Sequence, residues 1–365
     1  MDVAELLLDT LRFDQPNAVS LRERWASASK TRGLARLVAY EDCALWLSRR
    51  LKQIGCGPLL DATFLEWLNR RARDELARNL LVDAQTTKVI QALHAAGAPC
   101  VLLKGAARRA TATLYPWADA RRSNDVDVLV PASRVDDLWT GLRESGYELV
   151  TNPELTPAGH YHPPPLWDKS HVAVELHTST SAEVPANEAW RRATTGGRDV
   201  MRDGVEMRVP SATELFWHGI THGLQQIEAF RLRYFLDVAV IWASGAEIDW
   251  EVIVARFASP EIADQRRARA WLAAAAWLAA RPAPPALSTP YPYNVRRALR
   301  WRLAVLGRLE ASSRLGRTLL EESTRIETGL GPTPAAPQAP PHARARHWLA
   351  TGAARVIYRG WRAAG

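Results

Sequence analysis

The chain has little that would take it out of the cytoplasm or into a membrane. Only three of its 365 residues are cysteine, an odd number without metal-like spacing, so we expect a reducing compartment. No uninterrupted apolar run approaches the ~20 residues that a membrane-spanning helix needs. The opening stretch, MDVAELLLDTLRFDQ, is acidic and lacks a basic n-region, so we expect no secretion signal. These absences predict a cytoplasmic protein.

The remaining composition is ordinary for a globular protein, with an excess of positive charge. Hydrophobic residues make up 47% of the chain and charged residues 24%, and the length allows two or three domains. The net charge of +8 suggests an anionic partner, although an arginine- and alanine-rich proteome explains it equally well. Composition therefore leaves the function open.

The clearest chemical signal lies in one stretch, residues 101–130, VLLKGAARRATATLYPWADARRSNDVDVLV. Asp125 and Asp127 share one face of a predicted strand, because strand side chains alternate. Two carboxylates so placed repel each other unless a cation lies between them, and oxygen ligands favour Mg²⁺. The preceding Lys104-Gly105 turn would add a point charge and a backbone donor for phosphate. The pattern predicts phosphoryl or nucleotidyl transfer.

The same Asp-x-Asp pattern on an amphipathic strand is more often a solvated face. Three features favour the site. Asp127 runs into Val-Leu-Val, so the strand enters a core, and the Lys-Gly turn precedes the acidic pair by one short helix. A second strand, His171 to His177, places Glu175 among alternating apolar residues. Three carboxylates on two strands suit a two-metal site.

The segments LLKG, a helix ending in Leu-Tyr-Pro, RRSNDVDVLV and VAVELH resemble the uncharacterised bacterial nucleotidyltransferase family of the DNA polymerase β superfamily. The resemblance covers about residues 60–257, and Lys104-Gly105 replaces the superfamily's usual Gly-Ser turn. It implies an α+β fold, in which a small mixed sheet is embedded between N-terminal and C-terminal helical regions. It also implies that this sheet carries Asp125, Asp127 and Glu175 as metal ligands.

The roles that follow are those of a metal-dependent nucleotidyltransferase. We expect two Mg²⁺ ions, with Mn²⁺ as an alternative, to neutralise the triphosphate and activate an acceptor hydroxyl. Lys104 and the amide of Gly105 would hold phosphate oxygens, and Arg121 or Arg122 would neutralise the departing pyrophosphate. Positioning and electrostatics of this kind supply most of the catalysis in phosphoryl-type transfer.

Five histidines are weaker candidates. His177 shares its strand face with the glutamate, so it is a candidate for substrate contact or for orienting a ligand. His160 and His162 lie in a proline-rich loop, where exposure and substrate contact are equally favoured. His218 and His222 have the i, i+4 spacing of zinc ligands, but without a third ligand a structural or substrate-pocket role is favoured.

Two arginines and one aspartate on the segment FRLRYFLDVAVIW are also candidates. Arg231 or Arg233 is a candidate for binding the triphosphate. The simpler alternative is that Arg233 pairs with Asp237, four residues further along the same helix face. Asn79 is expected to be a buried hydrogen-bonding residue rather than a nucleotide contact.

The change from helical to strand period suggests four regions. Residues 1–97 form a helical region, 98–210 an α/β nucleotidyltransferase core, 211–330 a helical domain, and 331–365 a Pro-rich linker with a basic amphipathic tail. Within the core, we expect strands at 100–103, 125–130, 147–150 and 171–177, and helices at 106–114 and 133–142. The tail is a candidate for contacting a partner, a membrane surface or nucleic acid, or for docking on the body of the protein.

The resulting hypothesis is transfer of a nucleotidyl group from an NTP, with ATP expected, to a hydroxyl or phosphate of a small-molecule, peptide or saccharide acceptor. The resemblance implies a biosynthetic role, because members of that family occur beside biosynthetic genes. Two alternatives remain: an inactive nucleotide-binding or regulatory protein, and an enzyme that modifies tRNA or another nucleic acid. Three intact carboxylates argue against inactivity, and no single-strand-binding motif supports the nucleic-acid alternative.

Overall fold

The computed structural model describes residues 2–14, 18–111, 114, 120–149, 161–225, 231–290, 293–310, 313–327, 350–359 and 361. They form an α+β fold that divides into two compact units. The first unit comprises Met1–Asn69, Gly223–Leu236 and Arg266–Gly365, and the second comprises Arg70–His222 and Asp237–Gln265. No described helix is long and apolar enough to cross a membrane.

The first unit is helical. Its helices include α1 Val3–Leu11, α2 Ala18–Ala28, α3 Leu34–Tyr40, α4 Ala44–Gln53, α12 Gln265–Ala279, α13 Val295–Leu306 and α14 Arg314–Glu327. A buried ion pair lies in its core, because Arg302 Nη1 donates to Glu41 Oε1 at 2.7 Å. Glu41 Oε2 accepts from the backbone N–H of Leu232 at 2.8 Å. One carboxylate thus satisfies a buried cation and a backbone donor, as burial requires.

The basic tail is described only at residues 350–359 and 361, and these pack against other helices of the first unit. Tyr358 is fully buried, and its ring lies 5.0 Å from that of Trp301. Arg355 Nε donates to Glu322 Oε2 at 3.0 Å. The proline-rich stretch 331–341 lies outside the described residues. In its described part, the tail is therefore a helix packed on the body of the protein.

The second unit contains the sheets and the helices that cover them. Its elements are α5 Ala62–Ala95, β1 Val101–Leu102, α6 Lys104–Ala110, β2 Asp125–Leu129, α7 Val135–Glu144, β3 Glu148–Leu149, β4 Leu166–Trp167, β5 Ala173–His177, α8 Ala186–Thr194, β6 Arg198–Arg202, β7 Val205–Val209, α9 Ala212–Gln225 and α11 Trp250–Arg256. Two of these helices, α5 and α9, also contribute residues to the first unit, as does α10, Leu232–Ala243.

The five-stranded sheet has the order β1-β2-β5-β4-β3 and is mixed, as predicted. Its central pair, β2 and β5, is parallel, and the other neighbours are antiparallel. Val126, Val128, Val174 and Leu176 are almost fully buried on the face opposite the acidic residues. Alternation along both strands therefore separates a hydrophobic face from a polar one.

Several boundaries differ from the sequence-based expectation. Helix α6 begins at Lys104 rather than Ala106, and Lys104 has a positive φ of 42°. The two-residue strand β4 and the β6–β7 hairpin were not predicted. The hairpin turn is Asp203-Gly204, whose φ angles of 51° and 76° match the two-residue turn for which Asp-Gly is a strong signal. The division into four predicted regions remains a prediction.

Candidate active site

The parallel pairing of β2 and β5 places the acidic residues of the two strands side by side. Asp127 is opposite Glu175, and Leu129 is opposite His177. Asp127 and His177 are fully buried, whereas 20% of the Glu175 side chain is exposed. The register alone brings two carboxylates from the middle of the central pair, and an imidazole from the end of β5, to the polar face of the sheet.

Lys104 completes this cluster from the start of α6. Its ammonium nitrogen donates to Asp127 Oδ1 at 2.6 Å and lies 3.7 Å from Glu175 Oε2. His177 Nε2 lies 2.8 Å from Asp127 Oδ1 and 3.2 Å from Glu175 Oε2. An ionised carboxylate only accepts hydrogen bonds, so this geometry places the imidazole proton on Nε2. We call Lys104, Asp127, Glu175 and His177 the acidic cluster.

The charges in the acidic cluster shift one another's protonation. Burial alone would raise the pKa of Asp127, but the Lys104 ammonium and the His177 hydrogen bond hold it well below its usual range. Burial also opposes ionisation of Glu175, yet its pKa is lowered by the hydrogen bond from His177. The pKa of Lys104 is raised despite its burial, because Asp127, Glu175 and Asp125 surround it. Both carboxylates of the acidic cluster are therefore ionised beside a charged lysine.

Asp125 shares the strand face but not these contacts. It pairs in register with Ala173, at the beginning of β2, and is partly exposed. Burial and the charge of Asp127 raise its pKa to about 6, because the lowering effect of Lys104 is smaller. The negative charge of Asp127 is thus neutralised by protein groups, whereas ionisation of Asp125 remains unfavourable.

The loop before β2 is held in place by the long helix α5. Asn79 is fully buried, and its Oδ1 accepts from the backbone N–H of Ser123 at 2.9 Å, as expected for a structural asparagine. Arg78 Nη2 donates to the carbonyl oxygens of Asn124 and His171, each at 2.9 Å. Two adjacent residues of α5 thus hold the segments that lead into β2 and β5.

Gly105 is required by the packing of this loop. A Cβ at this position would lie 2.7 Å from Ser123 Oγ and 2.8 Å from Arg121 Nη1. Contacts that short do not occur, so any other residue would require the Ser123 and Arg121 side chains to shift. The observed reason for Gly105 is close approach, while its predicted contact with phosphate remains a prediction.

Asp237 joins two arginines that come from different parts of the second unit. Its Oδ2 lies 2.7 Å from Arg108 Nη1, and its Oδ1 accepts from Arg121 Nε at 2.7 Å. Arg108 and Asp237 are almost fully buried. A Cβ on Gly219 would lie 2.9 Å from Arg108 Nη2, so this glycine makes room for the buried guanidinium. The contacts tie α6 and the loop before β2 to α10.

The α10 segment has partners other than the expected ones. Asp237 bonds Arg108 and Arg121, and Arg233 Nη1 donates to Asp42 Oδ2 at 2.7 Å. Arg231 stacks over the Tyr40 ring, with 4.1 Å between its Cζ and the ring centroid. Both arginines belong to the first unit and are engaged there. Their predicted binding of the triphosphate remains a prediction without support from these contacts.

The two predicted nucleotide-binding arginines also have protein partners. Arg121 bonds Asp237 as described above, and its Nη1 donates to Arg122 O and Ser123 Oγ, each at 3.2 Å. Arg122 Nε donates to Asn124 Oδ1 at 3.1 Å on the surface. A role in neutralising pyrophosphate is untested for both residues.

The loop before β4 covers His177 with two rings. Tyr161 stacks on His177 with ring centroids 5.5 Å apart, and the His162 ring lies 5.0 Å from the same imidazole. The carbonyl oxygen of Tyr161 accepts from the backbone N–H and the hydroxyl of Thr178, at 2.8 and 3.0 Å. His160 lies outside the described residues.

His218 and His222 lie on α9 with ring centroids 6.2 Å apart. Burial lowers the pKa of both, to about 3 for His222, and nearby positive charges, including Lys104, lower it further. Both imidazoles are therefore neutral. Neither joins a group of metal-ligand atoms among the described residues, so zinc binding by this pair has no support.

Sequence reasoning missed three residues that the structure brings to this region: Arg78, Arg108 and Tyr161. Arg108 carried a weak signal in the sequence. It lies in a short alanine-rich helix directly after the Lys-Gly turn, and one side of such a helix faces the core. Arg78 and Tyr161 act through backbone contacts and ring stacking. No spacing in the sequence indicates either kind of contact.

The acidic cluster fits a divalent cation. The ligand atoms of Asp127, Glu175 and His177 lie within 4.8 Å of one another, and they are the group that could hold a metal ion among the described residues. Asp127 Oδ2 is buried and has no hydrogen-bond partner in the described part of the chain. A buried carboxylate oxygen without a donor is costly, and a metal ion would satisfy it. Asp125 lies outside this group.

Fold and site define the class: an α+β protein with a lysine-neutralised acidic cluster on two adjacent parallel strands. The chain belongs to the family of uncharacterised nucleotidyltransferases, whose profile matches residues 27–278. The nucleotidyltransferase family expected from the sequence is thereby confirmed. Among solved structures, it is similar to an antigenic nucleotidyltransferase-like protein from Paracoccidioides brasiliensis, at 20% identity and a TM-score of 0.32, covering 44% of this chain and 75% of that one. No curated protein matches the chain.

Proposed function

We propose that the protein is a metal-dependent nucleotidyltransferase that moves a nucleotidyl group from an NTP, with ATP the expected donor, to a hydroxyl or phosphate of a small-molecule, peptide or saccharide acceptor. Family membership supports nucleotidyl transfer. The observation that carries the metal dependence is the convergence of Asp127, Glu175 and His177. Mg²⁺ is the expected ion, with Mn²⁺ as an alternative.

In this proposal, Asp127 and Glu175 would hold the cation, and His177 would orient Asp127 or offer its own nitrogen. The hydrogen bond from His177 Nε2 fixes the rotamer of Asp127, as partners of metal ligands commonly do. When bound, the metal would supply charge neutralisation for the triphosphate and a lower pKa for the acceptor hydroxyl. The need for two ions depends on whether Asp125 also contributes.

The remaining residues act on the substrate by position and charge. Lys104 is the cation of this site, and its flexible four-carbon side chain allows its ammonium to reach phosphate oxygens. Asn79 and Arg78 hold the loop before β2, so the backbone position at the start of the strand that carries the aspartates is fixed. A fixed frame of this kind supplies the preorganisation that phosphoryl-type transfer requires.

The test separates nucleotidyl from phosphoryl transfer. The protein is incubated with each of the four NTPs, labelled at the α-phosphate, with Mg²⁺ or Mn²⁺ and with candidate acceptors. Nucleotidyl transfer breaks the bond between the α- and β-phosphates, so we expect pyrophosphate release and a labelled acceptor, with a mass increase of one nucleotidyl group. Release of inorganic phosphate instead would indicate attack at the γ-phosphate and would overturn the proposal.

The matched control is Asp127→Asn, which preserves shape and removes one charge from the metal-ligand group. We expect this variant to lose transfer, because the carboxylate pair can no longer hold a divalent cation. Lys88→Met serves as the surface control, since Lys88 is exposed and forms an ion pair with Asp168, at 3.5 Å, away from the acidic cluster. Full transfer by Asp127→Asn would remove this residue from the mechanism.

A further inference from the structure

The Lys104 ammonium occupies the position between the two carboxylates of the acidic cluster. It lies 2.6 Å from Asp127 Oδ1 and 3.7 Å from Glu175 Oε2, and only 13% of the side chain is exposed. These two carboxylates belong to the group that could hold a metal ion. A divalent cation held by these carboxylates, at Asp127 Oδ1 or at the unpartnered Oδ2, would lie close to the ammonium, and the two charges would repel each other strongly at that separation.

We propose that Lys104 is the resident counter-ion of Asp127 and Glu175, and that triphosphate draws its ammonium away so that nucleotide and metal bind cooperatively. This inference rests on the proposed function, because it assumes a triphosphate substrate. It goes beyond that function by assigning Lys104 two alternative partners and by predicting that metal and triphosphate bind cooperatively.

Backbone and side chain of Lys104 are suited to such an exchange. The backbone is fixed, since the Leu103 N–H donates to Asp127 O at 2.9 Å and Lys104 itself has a φ of 42°. Left-handed backbone is unusual for a residue with a side chain, and it persists where surrounding structure holds it. The four-carbon side chain can nevertheless turn without moving this backbone. The ammonium can thus change partners while the sheet stays unchanged.

Two carboxylates contact the ammonium, so Lys104 leaves the acidic cluster by moving rather than by losing its proton. A triphosphate carries several negative charges and competes for this ammonium, and once it has moved, Asp127 and Glu175 lack a counter-ion. By linkage, if triphosphate raises the affinity for metal by some factor, metal raises the affinity for triphosphate by the same factor.

The test measures two affinities separately for the full chain. Mn²⁺ binding without nucleotide is followed by electron paramagnetic resonance of the free ion, and ATP binding is followed in excess EDTA. Lys104→Met removes the ammonium but keeps the length of the side chain. We expect it to bind Mn²⁺ on the order of tenfold or more tightly than wild type, because one repelling charge is gone. We expect its metal-free ATP binding to weaken on the order of tenfold, because it loses a phosphate partner.

Opposite changes in the two affinities distinguish a counter-ion from a structural residue, since a misfolded variant would lose both. Lys104→Arg keeps the charge and should bind Mn²⁺ as weakly as wild type, while Lys88→Met should match wild type in both assays. If Lys104→Met does not fold, Lys104→Gln replaces it.

Mn²⁺ binding by Lys104→Met that is no tighter than that of wild type would overturn the inference and leave the proposed transfer activity standing. Tighter Mn²⁺ binding by Lys104→Met, with no ATP binding to this variant or to wild type, would uphold the role of Lys104 as counter-ion. That result would overturn the cooperative exchange and count against the proposed function.

Discussion

The two aspartates of β2 should respond in opposite directions to the same substitution in the metal-free protein. Asp125→Asn and Asp127→Asn each replace one carboxylate oxygen by an amide nitrogen. Both residues lie on the same strand, so side-chain shape and strand propensity hardly change. Only the charge environment differs. Asp125 has its pKa raised to about 6 by burial and by Asp127, whereas Lys104 and His177 hold the pKa of Asp127 well below its usual range.

The size of the Asp125 effect follows from linkage. A folded-state pKa of about 6 against an ordinary value of 3.8 corresponds to about 3 kcal/mol of unfavourable free energy when the group is ionised. Asp125 is partly exposed, so water screens part of this effect. We therefore expect Asp125→Asn to raise the free energy of unfolding by about 1–2 kcal/mol at pH 8.

Asp127→Asn should lower stability. It removes a buried carboxylate that accepts from Lys104 and His177, and breaking a buried ion pair typically costs about 3–5 kcal/mol. Glu175 remains 3.7 Å from the ammonium and recovers part of this interaction. We expect a loss of about 2–4 kcal/mol.

The sign of the pH dependence gives a second check on Asp125. In the folded wild type this group binds a proton more tightly than in the unfolded chain, so its contribution to stability is fully present below about pH 4 and is lost as pH rises through about 6. The advantage of Asp125→Asn should thus grow between these values and stay constant above them. The assay is urea unfolding in EDTA, followed by circular dichroism at several pH values. A destabilised Asp125→Asn, or a difference independent of pH, would refute the reasoning.

Three further variants test other parts of the structure. Glu175→Gln should keep ATP binding and lose transfer, as measured by equilibrium binding beside product analysis; retained transfer would exclude this carboxylate from the mechanism. Asp237→Ala should lower the free energy of unfolding by about 3–5 kcal/mol, because Arg108 and Arg121 lose their shared partner, and a loss under about 1 kcal/mol would contradict a buried ion-pair network. Tyr358→Ala should free the C-terminal helix, which limited proteolysis would detect as faster cleavage; unchanged cleavage would mean that the docked ring contributes little.

The sequence alone determined the elements whose signal is local. Alternation in DVDVL and AVELH predicted two strands with Asp127 and Glu175 on their polar faces, and the register of β2 and β5 places those two residues opposite each other. The start of α9 also has a local signal, because Ser211 to Glu214 is a capping-box sequence and Ser211 Oγ accepts from the Glu214 N–H at 3.2 Å. Strand period and helix caps depend on neighbouring residues, so they can be seen without a fold.

Short or paired elements were harder to predict. The strand β4 has only two residues, too few for a period, and the β6–β7 hairpin was missed although Asp203-Gly204 marks its turn. Helix α6 was expected two residues too late, because the left-handed backbone of Lys104 has no signature in a lysine.

The partners of the charged residues were decided by tertiary structure alone. Spacing along α10 suggested that Asp237 pairs with Arg233, yet it pairs with Arg108 and Arg121, which are more than 100 positions away in the chain. Likewise, the repulsion expected between Asp125 and Asp127 is relieved mainly at Asp127, because Lys104 hydrogen-bonds that residue and acts on Asp125 only from a distance. A sequence fixes which charges exist and, within one strand or helix, which of them share a face. Which charge neutralises which depends on distances of a few ångströms between remote segments, and those distances exist only once the chain has folded.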